Sequence, residues 1–304
     1  MKNLNIFNIK FLLIIPVIFS VHSESSTDFY GKINMSLAQI DDGVDKETDS
    51  LNNTSRIGFK SKFKLSENLN FLVQVENEID PTDGRADGDK VFKQRNTFIG
   101  LSGNFGKLFV GTHDTAFKKA QLKVDLFNDT QSDIKNILRG ENRMQDIVGY
   151  ESPEIFKGVK VVLNNIKTSN KNYQSYSINY SSDSLKASYS IDTGLKGYEG
   201  KRLTGSYTFN KTTIGAIYQD SEKNVTSKKE SGYVYSVKQK ISKKGSILFQ
   251  VAKSDMKVVG GKQTSFGYSH QVRKNLKIFT ALSVLSKDNA EDKDWLTAGF
   301  EYKF

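Results

Sequence analysis

The stretch Ser55-Arg-Ile-Gly-Phe-Lys-Ser-Lys-Phe-Lys-Leu65, followed by Ser66-Glu-Asn68 and then by Leu69 to Glu78, decides how the chain is read. In extended backbone, Ile57, Phe59, Phe63 and Leu65 fall on one face and Arg56, Lys60, Lys62 and Lys64 on the other. Ser66-Glu-Asn68 is a tight turn into a second strand. A sheet with charge on one face and apolar side chains on the other suits a soluble sandwich or a barrel in lipid equally well. The connections on either side separate the two: Gln39 to Thr54 before this hairpin and Ile79 to Gln94 after it are long and polar.

Working outward, strands are predicted near 28–38, 55–65, 69–78, 95–102, 105–113, 143–152, 159–166, 173–181, 185–192, 202–209, 213–219, 231–241, 246–254, 264–272, 276–285 and 295–304. Breaks after the first, third, fifth, ninth, eleventh, thirteenth and fifteenth strands are long and polar, Asp220 to Glu230 among them. Those after even strands are short, as at Gly103-Asn104, Ser182-Asp-Ser184, Asn210-Lys-Thr212 and Arg273-Lys-Asn275. Long loops on one rim and tight turns on the other describe an all-β, transmembrane, up-and-down antiparallel β-barrel of about sixteen strands. An even count returns both termini to the short-turn rim, and that width leaves a lumen for water and small solutes. The boundaries around 159–181 leave fourteen and eighteen strands open.

The longest segment without two-residue alternation runs from Asp114 to Glu141. Phe117, Ala120, Val124 and Phe127 recur in it at three- to four-residue spacing, which predicts a short helix or a folded loop. Placed after the fifth strand, it is the third long loop and is expected to fold into the lumen and narrow it. At the other end of the chain, Leu296, Ala298, Phe300, Tyr302 and Phe304 share one face of the last strand. Closing the barrel requires this strand, with Phe300, Tyr302 and Phe304, to pair with the first, because an open edge in hydrocarbon leaves backbone groups unsatisfied. Phe29, Tyr30, Tyr180, Tyr233, Tyr235, Tyr268 and Tyr302 stand at strand ends, where aromatic girdles form.

Composition supports one domain and bounds its setting. The chain has 304 residues, 37% hydrophobic and 26% charged, with no linker rich in Pro, Gly or Ser. No internal run approaches the ~20 apolar residues of a membrane helix. Lys2 and Lys10 flank an apolar core, Phe11 to Val21, ahead of Val21-His22-Ser23, so residues 1–23 are read as a signal peptide cleaved after Ser23 and residues 24–304 as the barrel. An uncleaved anchor helix is the alternative, with an apolar run too short for a span. There is no cysteine, hence no disulfide framework. The net charge of +10 is spread along the chain rather than clustered, which argues against nucleic acid.

The runs Phe29-Tyr-Gly-Lys32, Ser55-Arg-Ile-Gly-Phe-Lys60 with Leu65-Ser-Glu-Asn-Leu69, Arg95-Asn-Thr-Phe-Ile-Gly-Leu101, Gly103-Asn-Phe-Gly106, Val110-Gly111, Arg143 with Tyr150-Glu-Ser-Pro153, and the terminal Phe304, taken in order, resemble the general trimeric porins of Gram-negative outer membranes. The resemblance implies a sixteen-stranded barrel and a homotrimer in the outer-membrane bilayer, with the carboxyl-terminal strand read by the barrel assembly machinery. It implies passive diffusion of small hydrophilic solutes and ions, and a constriction where basic wall residues face acidic groups of the third loop. Carried over by position, the wall is Lys32, Arg56, Arg95 and Arg143. Parity agrees for Lys32, Arg56 and Arg95, which stands opposite Phe98, and is poor for Arg143. The sequence departs from the pattern at Thr112-His113 and at Gly149, where basic residues are common, and it lacks the usual Pro-Glu-Phe-Gly turn.

On the loop, Asp125, Asp129, Asp133 and Glu141 are the acidic candidates. Lys118, Lys119, Lys123 and Lys135 oppose them, so the loop is nearly neutral and the balance predicts weak anion preference. Each such charge is otherwise a solvated side chain, screened beyond roughly 8 Å. Catalysis requires a base positioned beside a nucleophile. Beyond the leader only His113 and His270 remain, neither in a Gly-x-Ser-x-Gly setting; Ser269 and Asp114 are sequence neighbours pointing to the opposite face. Two histidines without cysteine make no metal cage, so no enzyme, cofactor or metal is expected. The other readings are a non-channel outer-membrane barrel acting as an adhesin or structural surface protein, and a soluble lectin-like sandwich.

Overall fold

The computed structural model describes residues 25–168 and 171–304; the expected signal peptide, residues 1–23, lies outside the described residues. Nearly all the rest is one antiparallel sheet. Its strands are β1 Ser25–Asp41, β2 in two pieces Lys46–Asn52 and Arg56–Ser66, β3 Leu69–Glu78, β4 in two pieces Lys93–Gln94 and Thr97–Gly103, β5 Gly106–Asp114, β6 Arg143–Glu151, β7 Val159–Lys167 and β8 Asn172–Ser181. They continue as β9 Leu185–Thr193, β10 Tyr198–Phe209, β11 Thr212–Lys223, β12 Lys229–Lys240, β13 Gly245–Ser254, β14 Lys262–Arg273, β15 Leu276–Lys287 and β16 Ala290–Lys303. Each pairs with its sequence neighbour, and β1 pairs with β16 from Lys32↔Lys303 to Asp41↔Asp294. The result is a closed sixteen-strand barrel.

Closure runs to the last residue. Gly31 N–H donates to the Phe304 carbonyl at 3.0 Å and Phe304 N–H to the Gly31 carbonyl at 3.1 Å, while Met35 and Ile33 sit opposite Phe300 and Tyr302. The Phe304 ring lies over Gly31, where any Cβ would fall 2.3 Å from it. A closed ladder leaves no strand edge, the only way a sheet can stand in hydrocarbon.

The two faces are inverted relative to a soluble protein. On β10, Arg202 and Thr204 are each 1% exposed while Leu203 between them is 57% exposed; on β11, Gln219 is 1% and Tyr218 50% exposed. Polar side chains are enclosed and apolar ones bare, the arrangement that lipid outside and water inside require. Tyr30 departs from the expected girdle: its hydroxyl donates to Glu76 Oε2 at 3.1 Å on the enclosed face.

The strands outrun their predicted ends on the long-loop rim. The expected loop Gln39 to Thr54 is mostly hairpin, with only 42–45 between β1 and β2, and Asp220 to Glu230 reduces to 224–228. Above the apolar band both faces meet water, so these strand ends carry no alternation to read. On the opposite rim, 152–158 is longer than several of those connections, so the regular alternation of loop lengths holds only in part.

One-residue insertions interrupt the ladder beside the basic residues. Between β3 and β4 the register moves from Asn77↔Gln94 to Gln74↔Phe98, and the extra residue at Arg95-Asn96 is a bulge that flips the parity beyond it. Arg95 and Phe98 therefore share the enclosed face, correcting the expectation that they oppose each other. Phe98 packs with Phe109, Ile147, Ile166 and Leu195. Gly149 stands where a Cβ would lie 2.1 Å from the Phe109 ring, so the glycine admits this inward aromatic.

Candidate functional site

The segment between β5 and β6 is held by the enclosed face of distant strands. Thr115 Oγ1 accepts from Lys118 N–H and caps a single helical turn, α1 Ala116–Lys119. The expected helical spacing ends there: Leu122 and Lys123 take left-handed φ of 51° and 61°, a conformation that costs non-glycine residues free energy and persists only where the surroundings enforce it. All four apolar positions of the spacing, Phe117, Ala120, Val124 and Phe127, are nonetheless buried. Val124, Ile134, Ile137 and Leu138 pack on Ile217, Val234, Ala252 and Met256 of β11 to β13 and the following loop. Each such apolar side chain contributes about 1.5–3 kcal/mol on burial.

Polar anchors fix the same contact. Ala116 N–H donates to Asn164 Oδ1 at 2.6 Å, Phe117 N–H to Ser175 Oγ at 3.0 Å and Leu126 N–H to Gln250 Oε1 at 2.8 Å; Gln263 Nε2 donates to the Gln131 carbonyl at 2.9 Å. Arg202 carries the most. Its Nε and Nη2 donate to Gln219 Oε1 at 2.9 and 2.7 Å, Nη1 to Glu141 Oε1 at 2.8 Å and Nη2 to the Arg139 carbonyl at 3.1 Å. The guanidinium also stacks 4.4 Å from the Phe117 ring centre.

Of the four acidic candidates only Asp129 meets the basic wall. Its Oδ2 lies 2.7 Å from Lys32 Nζ and 3.3 Å from Arg56 Nη2. Asp125 turns inward instead, accepting from Phe127 N–H, Ile134 N–H and Gln250 Nε2. Asp133 caps a short 3-10 turn, Ile134–Asn136, and accepts from Asp129 N–H. Glu141 pairs with Arg202, and burial outweighs that charge to raise its pKa. Those three thus hold the segment's own shape or tie it to other parts of the wall.

The wall residues are divided among acids of the wall. Arg95 sits between Glu76 at 2.9 Å and Glu78 at 2.8 Å, and Arg143 lies 3.0 Å from Asp114 Oδ1. A register shift between β5 and β6, with Asp146 at φ 55°, resets Arg143's parity. The sequence reading missed Glu76, Glu78 and Asp114, although all three lie on or beside strands carrying the basic motif. It also missed Arg202 and the inward glutamines Gln219, Gln250 and Gln263. Their signal was long polar side chains at positions enclosed by parity.

Burial alone would raise the Asp129 carboxyl, but Lys32 and then Arg56 hold it well below the usual carboxylate range. A depressed folded pKa contributes stability above the unfolded value of about 3.9, lost as pH falls through the folded value. The stability gap between the wild type and Asp129→Asn, about 1–3 kcal/mol for a charge-assisted contact, is therefore expected to stay constant from pH 8 to about 4 and to close only in stronger acid. Denaturation of both proteins in detergent across that range measures it; a gap that closes near pH 6 would remove the ion pair from this role.

Two cavities adjoin the segment. One, of about 550 Å³, lies between residues 118–129 and a wall that includes Arg56, Arg95 and Lys186. The other, of about 670 Å³, opens toward the short-turn rim past Lys211, Lys238, Lys240 and Lys303. Lys123 and Lys186 line both, and among the described residues neither has a carboxylate within 4 Å. His113, by contrast, is enclosed by the rings of Phe98 and Phe109, with Nδ1 at 2.8 Å from the Asp114 carbonyl oxygen.

A closed sixteen-strand barrel with an enclosed charged face defines an outer-membrane barrel of the porin class. Residues 18–293 match the family model for Gram-negative porins, and the chain belongs to that family. The major outer membrane protein P.IB of Neisseria sicca is 32% identical over 166 residues, 53% of this chain and 44% of that protein. The chain thus spans less than half the length of that relative. Outer membrane porin protein 32 of Delftia acidovorans is 23% identical over 92% of this chain and 88% of its own. Among solved structures, the anion-selective porin from Comamonas acidovorans has a TM-score of 0.81 at 20% identity, covering 92% of this chain and 100% of that one. Salmonella typhi OmpF in complex with daunomycin has a TM-score of 0.74 at 15% identity, covering 91% and 97%.

Proposed function

We propose that the protein is a water-filled channel for passive diffusion of small hydrophilic solutes and ions across the outer membrane. Segment 115–142 lies in the lumen and narrows it. Lys32 and Arg56 face Asp129 across this constriction, with Arg95 and Arg143 behind them on the wall. The channel prefers anions weakly. The observation that carries this reading is that Lys123 and Lys186 in the gap have no acidic partner among the described residues, where the nearby acids are already bound to cations or to backbone N–H groups. Fixed positive charge in a narrow aqueous gap raises the local concentration of anions. The similar fold of the anion-selective porin from Comamonas acidovorans points the same way.

The chain acts as a homotrimer, exported with residues 1–23 as a cleaved leader, and its last strand, ending in Phe300, Tyr302 and Phe304, is what the barrel assembly machinery reads. In a planar bilayer under a KCl gradient, the zero-current potential is expected to move toward the chloride equilibrium potential. A displacement toward the potassium value would overturn the anion preference.

A further inference from the structure

The enclosed wall turns apolar at one level. From β12 to β15, Ser236, Gln250, Ser265 and Ser283 stand opposite one another in register, all polar and none more than 4% exposed, as a wall turned away from lipid requires. Two residues nearer the short-turn rim the partners are Lys238, Leu248, Gly267 and Ala281. Gly267 seats the Phe127 ring of the segment, 2.9 Å from where a Cβ would stand, and two residues from Ala281 the Phe279 ring lies over Gly299 in the same way, at 2.7 Å. Leu126, Leu248 and Phe279 stay half-buried, outside the packing of Val124, Ile134, Ile137 and Leu138 that anchors the segment. Apolar surface left open to a watery lumen favours any apolar group that covers it.

These residues line a cavity of about 170 Å³ that shares Leu126, Asn128, Lys238 and Glu301 with the 670 Å³ cavity, so it is a side pocket of that gap. Its charged lining is Lys238, Lys277 and Glu301. Glu301 is closed by Lys277 at 3.3 Å and Lys303 at 3.0 Å, while Lys238 has no carboxylate within 4 Å among the described residues. Lys238 and Leu248 are direct cross-strand partners on one face, with Cβ atoms about 4.5–5.5 Å apart in such pairs. The free ammonium therefore stands at the edge of the apolar patch.

We propose that this side pocket is a binding site for a small aromatic monocarboxylate, an anion with a single ring. The ring lies against Leu126, Leu248 and Phe279, and the carboxylate accepts from Lys238 at the mouth. One free cation suits one carboxylate, and the volume limits the apolar body, since an apolar cavity of about 150 Å³ takes a benzene ring. The inference rests on the channel reading in one respect: the ligand reaches the pocket through the gap.

Isothermal titration of the intact barrel in detergent at low ionic strength, with protein-free micelles as the blank, tests this with three probes: benzoate, acetate, which lacks the ring, and benzyl alcohol, which lacks the charge. Benzoate is expected to saturate one site per chain and to bind at least about tenfold more tightly than either of the others, the loss expected for a charged hydrogen bond or for a buried ring. In Lys238→Met, which keeps the stem and loses the ammonium, benzoate is expected to fall to the level of benzyl alcohol; in Leu248→Asn it is expected to fall toward that of acetate. Absence of saturable benzoate binding, or wild-type affinity for benzoate no higher than for either truncated probe, overturns the proposal without any variant having to fold. Undiminished benzoate affinity in a folded Lys238→Met barrel overturns it as well. The same preparation in a planar bilayer separates the two readings: a conducting barrel that does not bind benzoate removes the pocket alone, and a silent barrel that binds it removes the channel and keeps the pocket.

Discussion

Replacing Arg202 with leucine is expected to release the segment between β5 and β6 from the wall while the barrel stays closed. The guanidinium is fully enclosed and gathers Gln219, Glu141 and the Arg139 carbonyl onto one rigid fork. Removing one partner of a buried ion pair leaves the other charged and desolvated, at about 3–5 kcal/mol. The sheet does not depend on that fork, because every strand keeps its two neighbours. The loss should therefore appear as fast amide exchange over 116–140, with strand amides still protected and the folded band still heat-modifiable on gels. Lysine at this position is not expected to rescue, since it offers no planar pair of donors. Wild-type exchange rates in Arg202→Leu would show that the apolar packing of Ile134, Ile137 and Leu138 holds the segment alone.

Reversing two charges in the gap is expected to invert the proposed ion preference. Lys123 and Lys186 line both basic cavities and, among the described residues, carry no acidic partner, so each contributes its full field to the aqueous space. Lys123→Glu with Lys186→Glu changes the charge by four units around the cavities both residues line, where salt screens only beyond about 8 Å. The zero-current potential in a KCl gradient should cross from the chloride side to the potassium side. Removing both members of the Arg143–Asp114 pair, Arg143→Gln with Asp114→Asn, should leave the preference nearly unmoved, because the pair, closed at 3.0 Å, carries no net charge. A double reversal that keeps anion preference would place the selecting charges elsewhere in the lumen.

The barrel was legible because lipid and water impose a period of two on every strand that crosses between them, and that period survives without knowledge of any contact. Ile57, Phe59 and Phe63 against Arg56, Lys60 and Lys62 needed nothing more. Legibility failed where the period lapses. Beyond the apolar band, 46–52 read as loop although it forms strand, and the extra residue at Arg95-Asn96 reversed the side on which Phe98 falls. In the segment between β5 and β6 the apolar positions were visible but their partners were not. Val124 and Leu138 meet Ile217 and Val234 through the curvature of a closed sheet, which no local pattern encodes. The charge pairing was the least legible part. A carboxylate on a loop has the same signature whether it pairs with basic residues of the wall, as Asp129 does, or ties backbone amides, as Asp125 does.

The most direct test is the current carried by the purified mature protein in a planar lipid bilayer. Stepwise, ohmic conductance increments in groups of three are expected as trimers insert, from material that needs detergent for solubility. A bilayer that stays silent while the same preparation shows a folded, heat-modifiable band would contradict the open lumen on which the whole reading depends.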